Sequence, residues 1–441
     1  MSAGLRLWQV LLLLVLVVLA WRITALGVAS VQVGQLDSHG EAAARQALDW
    51  YPGQSAALHG LGFRSIERDG EAAERLLVEA YRHNRTNPQP LMDLASLALA
   101  RNELARADAL MGQVDRLRPV DPGVQWRLGQ YWSSRGDLGL AFKHWSRSLE
   151  ADPGTAPAAF QTFRTMLKDP AARLALQSLT KAPPNWWKDF FVDTAQRATD
   201  IATVRQLYQM RGRSAEVPMT PGEHQAYFER LMRDGLFEEA YIAWTDSLHA
   251  AQRKQLGLLF NGSFELPLSG LGFDWQVTKL NRVEIMRAHP EGEDRQALLL
   301  RFRLLRVPFE HLAQPLVLVP GAYEMAGAFR SLDLMTEGGF RWVVRCRAPD
   351  KAQLGESGRI FPADAWTTFH FEFEVPDSCL MQELRLVSVD ASGMERSPID
   401  GELWFDELSI RSLGGLTPLG RAKIESRRLE AEGRGKRPGR D

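Results

Sequence analysis

Two cysteines are all that the 441 residues contain, too few for a Cys-based zinc site or a disulfide-dense scaffold. An excess of one charge is also missing. Lys and Arg number 53 against 54 Asp and Glu, so no global field argues for nucleic acid or an acidic macromolecule as partner. Catalytic signatures are absent as well: no P-loop, no G-x-S-x-G, no H-E-x-x-H and no G-x-G-x-x-G. The nine His are scattered, none near another at metal-ligand spacing. These absences point away from an enzyme. What the chain does have is length for two or three domains, thirteen Trp and one long apolar run.

That run, "LWQVLLLLVLVVLAW" at 7–21, carries a single polar side chain, Gln9. It falls short of the roughly 20 residues a membrane span needs. Continuing through "RITALGVA" to Ala29 supplies the length, with Arg22 snorkelling to the headgroups. A cleaved signal peptide is the competing reading, since "GVAS" offers small residues at a cleavage site. Trp21 and Arg22 interrupt the path to that site, which favours a retained anchor over residues 1–30. Arg6 precedes the run, and residues 23–44 contain no Lys or Arg while Asp37 and Glu41 appear. The asymmetry puts the N-terminus in the cytoplasm and the bulk of the chain outside it.

Residues 37–255 read as helices. The clearest unit is "DPGVQWRLGQYWSSRGDLGLAFKHWSRSLEADP", 121–153. Leu128, Gly129 and Trp132 share one helix, a turn follows at Gly136-Asp137, Ala141, Trp145 and Ser148 share the next, and Pro153 closes the unit. The preceding unit, ending at Pro119, puts Leu94, Ala95, Ala98, Ala107 and Met111 in matching places. An earlier one supplies Ala73, Leu77 and Ala80, and a late one Ala240, Trp244 and Ser247. These units resemble the tetratricopeptide repeat, closely over 88–153 and more loosely outside. The resemblance implies a stack of antiparallel helix pairs whose groove holds a protein partner. Trp126, Trp132, Trp145 and Trp244 are read as packing between helices. Between Pro153 and Gly222 the repeat pattern fades, and "APPNWWKDFF" at 182–191 is the expected break.

After Gly257 the period changes from 3.6 to 2. In "FRWVVRCRA", Phe340, Trp342, Val344 and Cys346 point one way and Arg341, Val343, Arg345 and Arg347 the other. "TFHFEFEVP" alternates likewise, with His370, Glu372 and Glu374 on its polar side. Further strands are expected at 281–287, 297–306, 315–319, 322–334, 382–389 and 402–411. About eight short strands over 256–412 describe an antiparallel sandwich or jelly roll.

The opening "NGSFE", the Trp275 that follows, "PGAYEMAGAFR" and the closing "GELWFDELSIR" resemble the galactose-binding-like carbohydrate-binding modules of families 4 and 9. In that family the first and last strands lie together and hold a structural calcium. The resemblance implies Glu265 and Asp406 as its carboxylates, with carbonyls near Ser263, and more remotely Asp294, completing an oxygen shell. Solvated acids, or acids paired with Arg, are the alternative. For sugar stacking, Trp342 is read as core, Trp275 and Trp404 occupy positions that usually pack inside, and Tyr323 and Trp366 are freer but lack a clear polar companion.

Arg301, Arg303, Arg341, Arg345, Arg347 and Arg385 all fall on the solvent side of strands. In one sheet they would make a basic stripe for an acidic polysaccharide; paired with Glu372 and Glu374 they would make none. Cys346 and Cys379 are either a disulfide, which export would permit, or two buried thiols. The charged, Gly-dotted residues 413–441 read as disordered.

The fold class expected is multidomain α + β: an N-terminal transmembrane helix, a repeat solenoid and a C-terminal antiparallel sandwich. The function expected is a non-catalytic, single-pass scaffold of a bacterial inner membrane, its bulk periplasmic, that binds a protein partner. Bacterial proteins with this order of parts suggest exopolysaccharide or envelope assembly. The alternative is a glycan-binding protein whose sandwich takes a polysaccharide directly.

Overall fold

A computed structural model describes residues 2–212, 217–389 and 398–414; the charged tail from 415 onward lies outside them. The chain divides into two compact units, 1–187 and 188–441, and the division falls within "APPNWWKDFF". Each unit is taken by itself.

The first unit opens with α1 (Ser2–Val33), followed by α2 (Leu36–Trp50). α1 is the only described helix long and apolar enough to cross a membrane, over Leu11–Val33. α2 bends at Gly40, whose φ of 57° is the left-handed conformation that glycine tolerates. Ala25 and Ala29 of α1 are buried, and Ala29 clusters with Ala44, Ala47 and Ala57. Small side chains there let α1 and α2 approach closely.

Helical hairpins follow: α3 (Ser55–Ser65) with α4 (Gly70–His83), α5 (Gln89–Ala100) with α6 (Leu104–Leu117), α7 (Pro122–Ser134) with α8 (Leu138–Ala151), and α9 (Ala156–Met166) with α10 (Pro170–Lys181). Their first helices start at a spacing of about 34 residues, the spacing of the units seen in the sequence. The regularity thus runs on both sides of 88–153, where the sequence pattern is sharpest. Aspartates start several of the helices: Asp69, Asp121, Asp137 and Asp169 each accept a backbone N–H from the first turn, and Pro122 and Pro170 sit where the missing N–H is harmless. Trp145 is buried and Trp126 packs on it with ring centroids 5.7 Å apart; Trp132 lies half-buried against Tyr131.

Side-chain contacts join the α4 level to the α6 level, and α6 to α8, at a recurring offset of 32 residues. Arg106 pairs with Glu74. Gln113 donates to the Tyr81 hydroxyl at 2.9 Å, Arg147 to Asp115 at 3.2 Å, and Arg118 to the Thr86 carbonyl at 3.1 Å.

The second unit contains α11 (Trp187–Arg197, which begins at the division), α12 (Ile201–Gly212), α13 (Pro221–Arg233), α14 (Phe237–Ser247) and α15 (Ala250–Arg253), then ten strands. These are β1 (Gln276–Val277), β2 (Val283–Ala288), β3 (Ala297–Leu305), β4 (Leu312–Leu316), β5 (Gly321–Met335), β6 (Phe340–Ala348), β7 (Gln353–Glu356), β8 (Thr367–Val375), β9 (Met381–Ser388) and β10 (Ile399–Ser412). They form two antiparallel sheets, ordered β1-β4-β9-β6-β7 and β2-β3-β10-β5-β8. The inward faces enclose a core centred on Trp342, whose ring lies 5.7 Å from Trp275 and 5.1 Å from Phe405.

"NGSFELPLSGLGFDW" closes this sandwich. Asn261 is buried and bonds both the N–H and the carbonyl of Leu266, while the Trp275 indole donates to its carbonyl at 3.2 Å. The Gly262 carbonyl accepts from Leu408 N–H of β10, and a Cβ at 262 would fall 1.9 Å from the Leu408 carbonyl oxygen. Glycine is required for that approach. The same stretch is also fastened to the helices of its unit. The Trp244 ring of α14 meets Phe260 edge-on at 5.0 Å and Phe273 at 5.6 Å, and Gly272 N–H donates to Gln225 at 3.2 Å.

Candidate functional site

The outward face of the sheet holding β3, β5 and β10 carries a mixed aromatic and charged cluster. Strand register puts Trp404 beside Leu299 on one side and Arg330 on the other, so these side chains share the face that the core does not use. Trp404 is buried there with Ala297 and Leu299, and Trp366 packs on the same patch. Trp404 is therefore inside a small outer cluster rather than the main core. The Arg295 guanidinium lies 4.8 Å from the Trp366 ring centre, and Arg330 lies 5.9 Å from both Trp366 and Trp404. The Trp366 indole donates to Glu293 at 2.7 Å, and Glu293 also takes Arg295 and Arg330. Hydrogen bonds from Trp366 and Arg295 hold the Glu293 carboxyl below the usual range.

Trp366 thus has the polar companions that the sequence reading missed. Glu293 and Arg295 come from the 289–296 loop and Arg330 from β5, all distant in sequence, and no local pattern announces them. Arg295 covers a face of the ring that a sugar would need. Tyr323 is buried and stacks on Phe373 at 5.5 Å.

Asp406 sits beside this cluster, 2% exposed. Burial pushes its carboxyl up from the ordinary value; Arg295 opposes that, and the Glu407 and Glu265 charges add to it. Glu265 is exposed but close enough for its charge to act on Asp406, so the opening and closing motifs do converge. Oxygens of Asp406, of Glu407 and of the Glu265 main chain are nevertheless already engaged. Arg295 lies 3.1 Å from Asp406 Oδ2 and 3.0 Å from Glu407, Glu407 N–H donates to Asp406 Oδ1, and Arg287 donates to the Glu265 carbonyl at 2.7 Å. Among the described residues no group of three or more His, Cys, Asp or Glu converges as a metal site. A hard cation takes six to eight oxygens, and this donor set, already holding two guanidiniums, does not fit one.

The six arginines do not share a surface. Arg301 and Arg303 lie on β3, in one sheet; Arg341, Arg345 and Arg347 on β6 and Arg385 on β9 belong to the other. Arg301 pairs with Glu402 and Glu284, Arg303 with Glu284 and Arg341 with Glu356. Arg345 and Arg385 both close on Glu383, at 2.9 and 2.7 Å. Glu383 is buried; burial raises its carboxyl, and hydrogen bonds from Arg385 and Arg345 outweigh that, leaving it lowered. The pairing partners are Glu284, Glu356, Glu383 and Glu402 rather than Glu372 and Glu374. Arg347 stays exposed. Cys346 and Cys379 are joined, with Sγ atoms 2.17 Å and Cα atoms 5.7 Å apart.

The described residues include two concavities. A shallow groove of about 440 Å³ runs over β5, β8 and β10, lined by Glu324, Thr368, His370, Glu407 and Arg411. A bulge in β10 between Asp406 and Ser409 turns Glu407 outward at its end. The larger, about 650 Å³, lies among α12, α13 and α14. Tyr208 and Tyr227 stack there at 3.9 Å, Tyr208 bonds His224 Nδ1 at 2.9 Å, and Tyr227 donates to Glu239, which also holds Arg205. Burial lowers the His224 imidazole and raises both phenols, so the Tyr208–His224 pair is neutral near pH 7. Beneath it Arg211 and Glu223 form a buried ion pair at 3.0 Å. Ile242 and Met219 supply apolar wall, and Asp246 an exposed carboxylate.

No family model and no curated protein matches the chain. Solved structures do. The enzymatically active domain of the bacteriophage CBA120 tailspike protein 4 is 12% identical with a TM-score of 0.27; the match covers 35% of this chain and only 21% of that one. The CBM22-1 xylan-binding domain of Paenibacillus barcinonensis Xyn10C is 16% identical, TM-score 0.27, over 35% of this chain and 93% of that one. Pseudomonas aeruginosa pilF is 13% identical, TM-score 0.28, over 50% of this chain and 90% of that one. Similarity this low identifies no ligand and no activity.

Proposed function

We propose that this protein is a non-catalytic scaffold, held in a bacterial inner membrane by a retained α1, with its bulk in the periplasm. It docks a protein partner through its helical hairpins during envelope or exopolysaccharide assembly. The observation that carries this reading is the α12–α14 pocket. It is larger than the groove on the sandwich, it is walled by stacked phenols, and its exposed Asp246 carboxylate suits an apolar or cationic peptide side chain. The outward sandwich arginines, by contrast, are largely neutralised by their own neighbours. Retention of α1 is supported by Ala25 and Ala29: cleavage after Ala29 would remove the surface on which α2 packs. Export is supported by the Cys346–Cys379 bond, since such bonds persist in oxidising compartments. For the cation between the opening and closing motifs we propose Arg295 in place of calcium.

A second reading, direct glycan binding, rests on the open polar groove at Thr368 and His370. A photo-crosslinking residue placed at Ile242 or at Thr368 in the full chain, in cells, separates the two. Protein adducts of defined mass at 242 but not 368 are expected. No adduct at 242, together with glycan-array binding that Thr368→Ala abolishes, would replace the first reading with the second.

A further inference from the structure

α1 fixes more than attachment. Composition alone would allow a span reaching Val33, but α2 covers Ala25 and Ala29, so the part of α1 free to face lipid ends near Trp21. The roughly 20 residues of helix up to that point rise about 30 Å, the thickness of a hydrocarbon core. Trp21 is 62% exposed and sits where an interfacial aromatic is expected. Its ring lies 5.8 Å from Trp50, the last residue of α2, which is itself 41% exposed. Trp50 therefore stands at the depth of Trp21. The packing of Ala25 and Ala29 against α2 prevents that level from sliding.

The turn after Trp50 is continuous with the next turns of the array. Gly53 lies against His83 at the end of α4, where a Cβ would come within 2.9 Å of the imidazole. One hairpin further on, Arg118 donates to the Thr86 carbonyl. This edge carries cations and exposed apolar groups. Arg85 has no carboxylate partner among the described residues, and Val120 is 77% exposed.

We propose that this edge of the array, Trp50 followed by Arg85, Arg118 and Val120, rests on anionic phospholipid headgroups, so that the hairpins are laid along the membrane surface. Guanidiniums take phosphate oxygens there, the indole fills the interfacial layer, and attraction to the anionic surface adds to both. The inference rests on α1 spanning the membrane.

The test uses the full chain in liposomes of phosphatidylcholine with or without phosphatidylglycerol. Because both native cysteines are bonded, a single introduced thiol takes the fluorophore. Leu14→Cys reports the span, Arg85→Cys and Val120→Cys the edge, and Glu67→Cys and Lys168→Cys the turns at the opposite ends of the hairpins. Headgroup-quencher lipids should quench labels at 85 and 120 at least about two-fold more than those at 67 and 168, and the gap should narrow without phosphatidylglycerol. A label at 14 quenched from the acyl chains, with all four others alike, overturns the edge contact and leaves the span. An unquenched label at 14 overturns both. A gap indifferent to phosphatidylglycerol overturns the role of the arginines.

Discussion

Gly129 of α7 and Trp145 of α8 share one volume: the Cβ of any other residue at 129 would lie 2.3 Å from Cδ1 and Nε1 of the indole. Alanine would gain about 1 kcal/mol of helix propensity over glycine, but the ring beneath it is buried and cannot move aside. Gly129→Ala should therefore destabilise the first unit by about 1–3 kcal/mol through overpacking, measured as a lower denaturation midpoint. A rise in stability would show that the two helices separate freely.

Trp244 fastens α14 to Phe260 and Phe273. Trp244→Ala should cost about 3–5 kcal/mol and open residues 255–275 to limited proteolysis. Unchanged protease resistance would mean that the segment is held by the sandwich alone.

Glu383 gives the sandwich an acid sensitivity. Its folded pKa lies below the unfolded value, so ionisation favours the fold. That contribution is complete above the ordinary glutamate range near 4.3, and it disappears as pH falls through the lowered folded value. Urea unfolding followed between about pH 3 and 7 should show a shallower loss for Glu383→Gln than for the native chain. Parallel curves would remove Glu383 from the account.

Arg295 partners a buried carboxylate. Arg295→Met should lower stability by roughly 1–3 kcal/mol by leaving Asp406 unpaired. Because burial raises the Asp406 pKa, the acid's protonated form suits the fold, so the deficit should be smallest below the ordinary aspartate range and grow as pH rises through the folded value. Calcium or a chelator should leave the native midpoint unchanged; a calcium-dependent rise would restore the ion to this site.

The disulfide closes a separation of 33 residues, and reducing it should cost about 2–4 kcal/mol. Thiol labelling of the chain drawn directly from cells should find both cysteines blocked. Free thiols would contradict export.

The helical period was legible because Gly129, Ala141 and Trp145 must alternate small and large where helices touch. It faded after Pro153 because Phe163 and Leu176 meet the same geometric demand with residues the pattern does not specify. Alternation in β6 separated inward from outward side chains, yet could not say that β9 is its neighbour. The Arg345–Glu383 contact depends on that strand order. That the Glu265 charge acts on Asp406 is in keeping with the pairing that the family resemblance implied, whereas Arg295, which pairs with Asp406, belongs to neither motif.

The rungs joining second helices at a 32-residue offset are polar and near the surface, while the apolar contacts lie deeper. A pull along the array would load the rungs at Glu74, Tyr81 and Asp115 in turn, each able to break and reform in water.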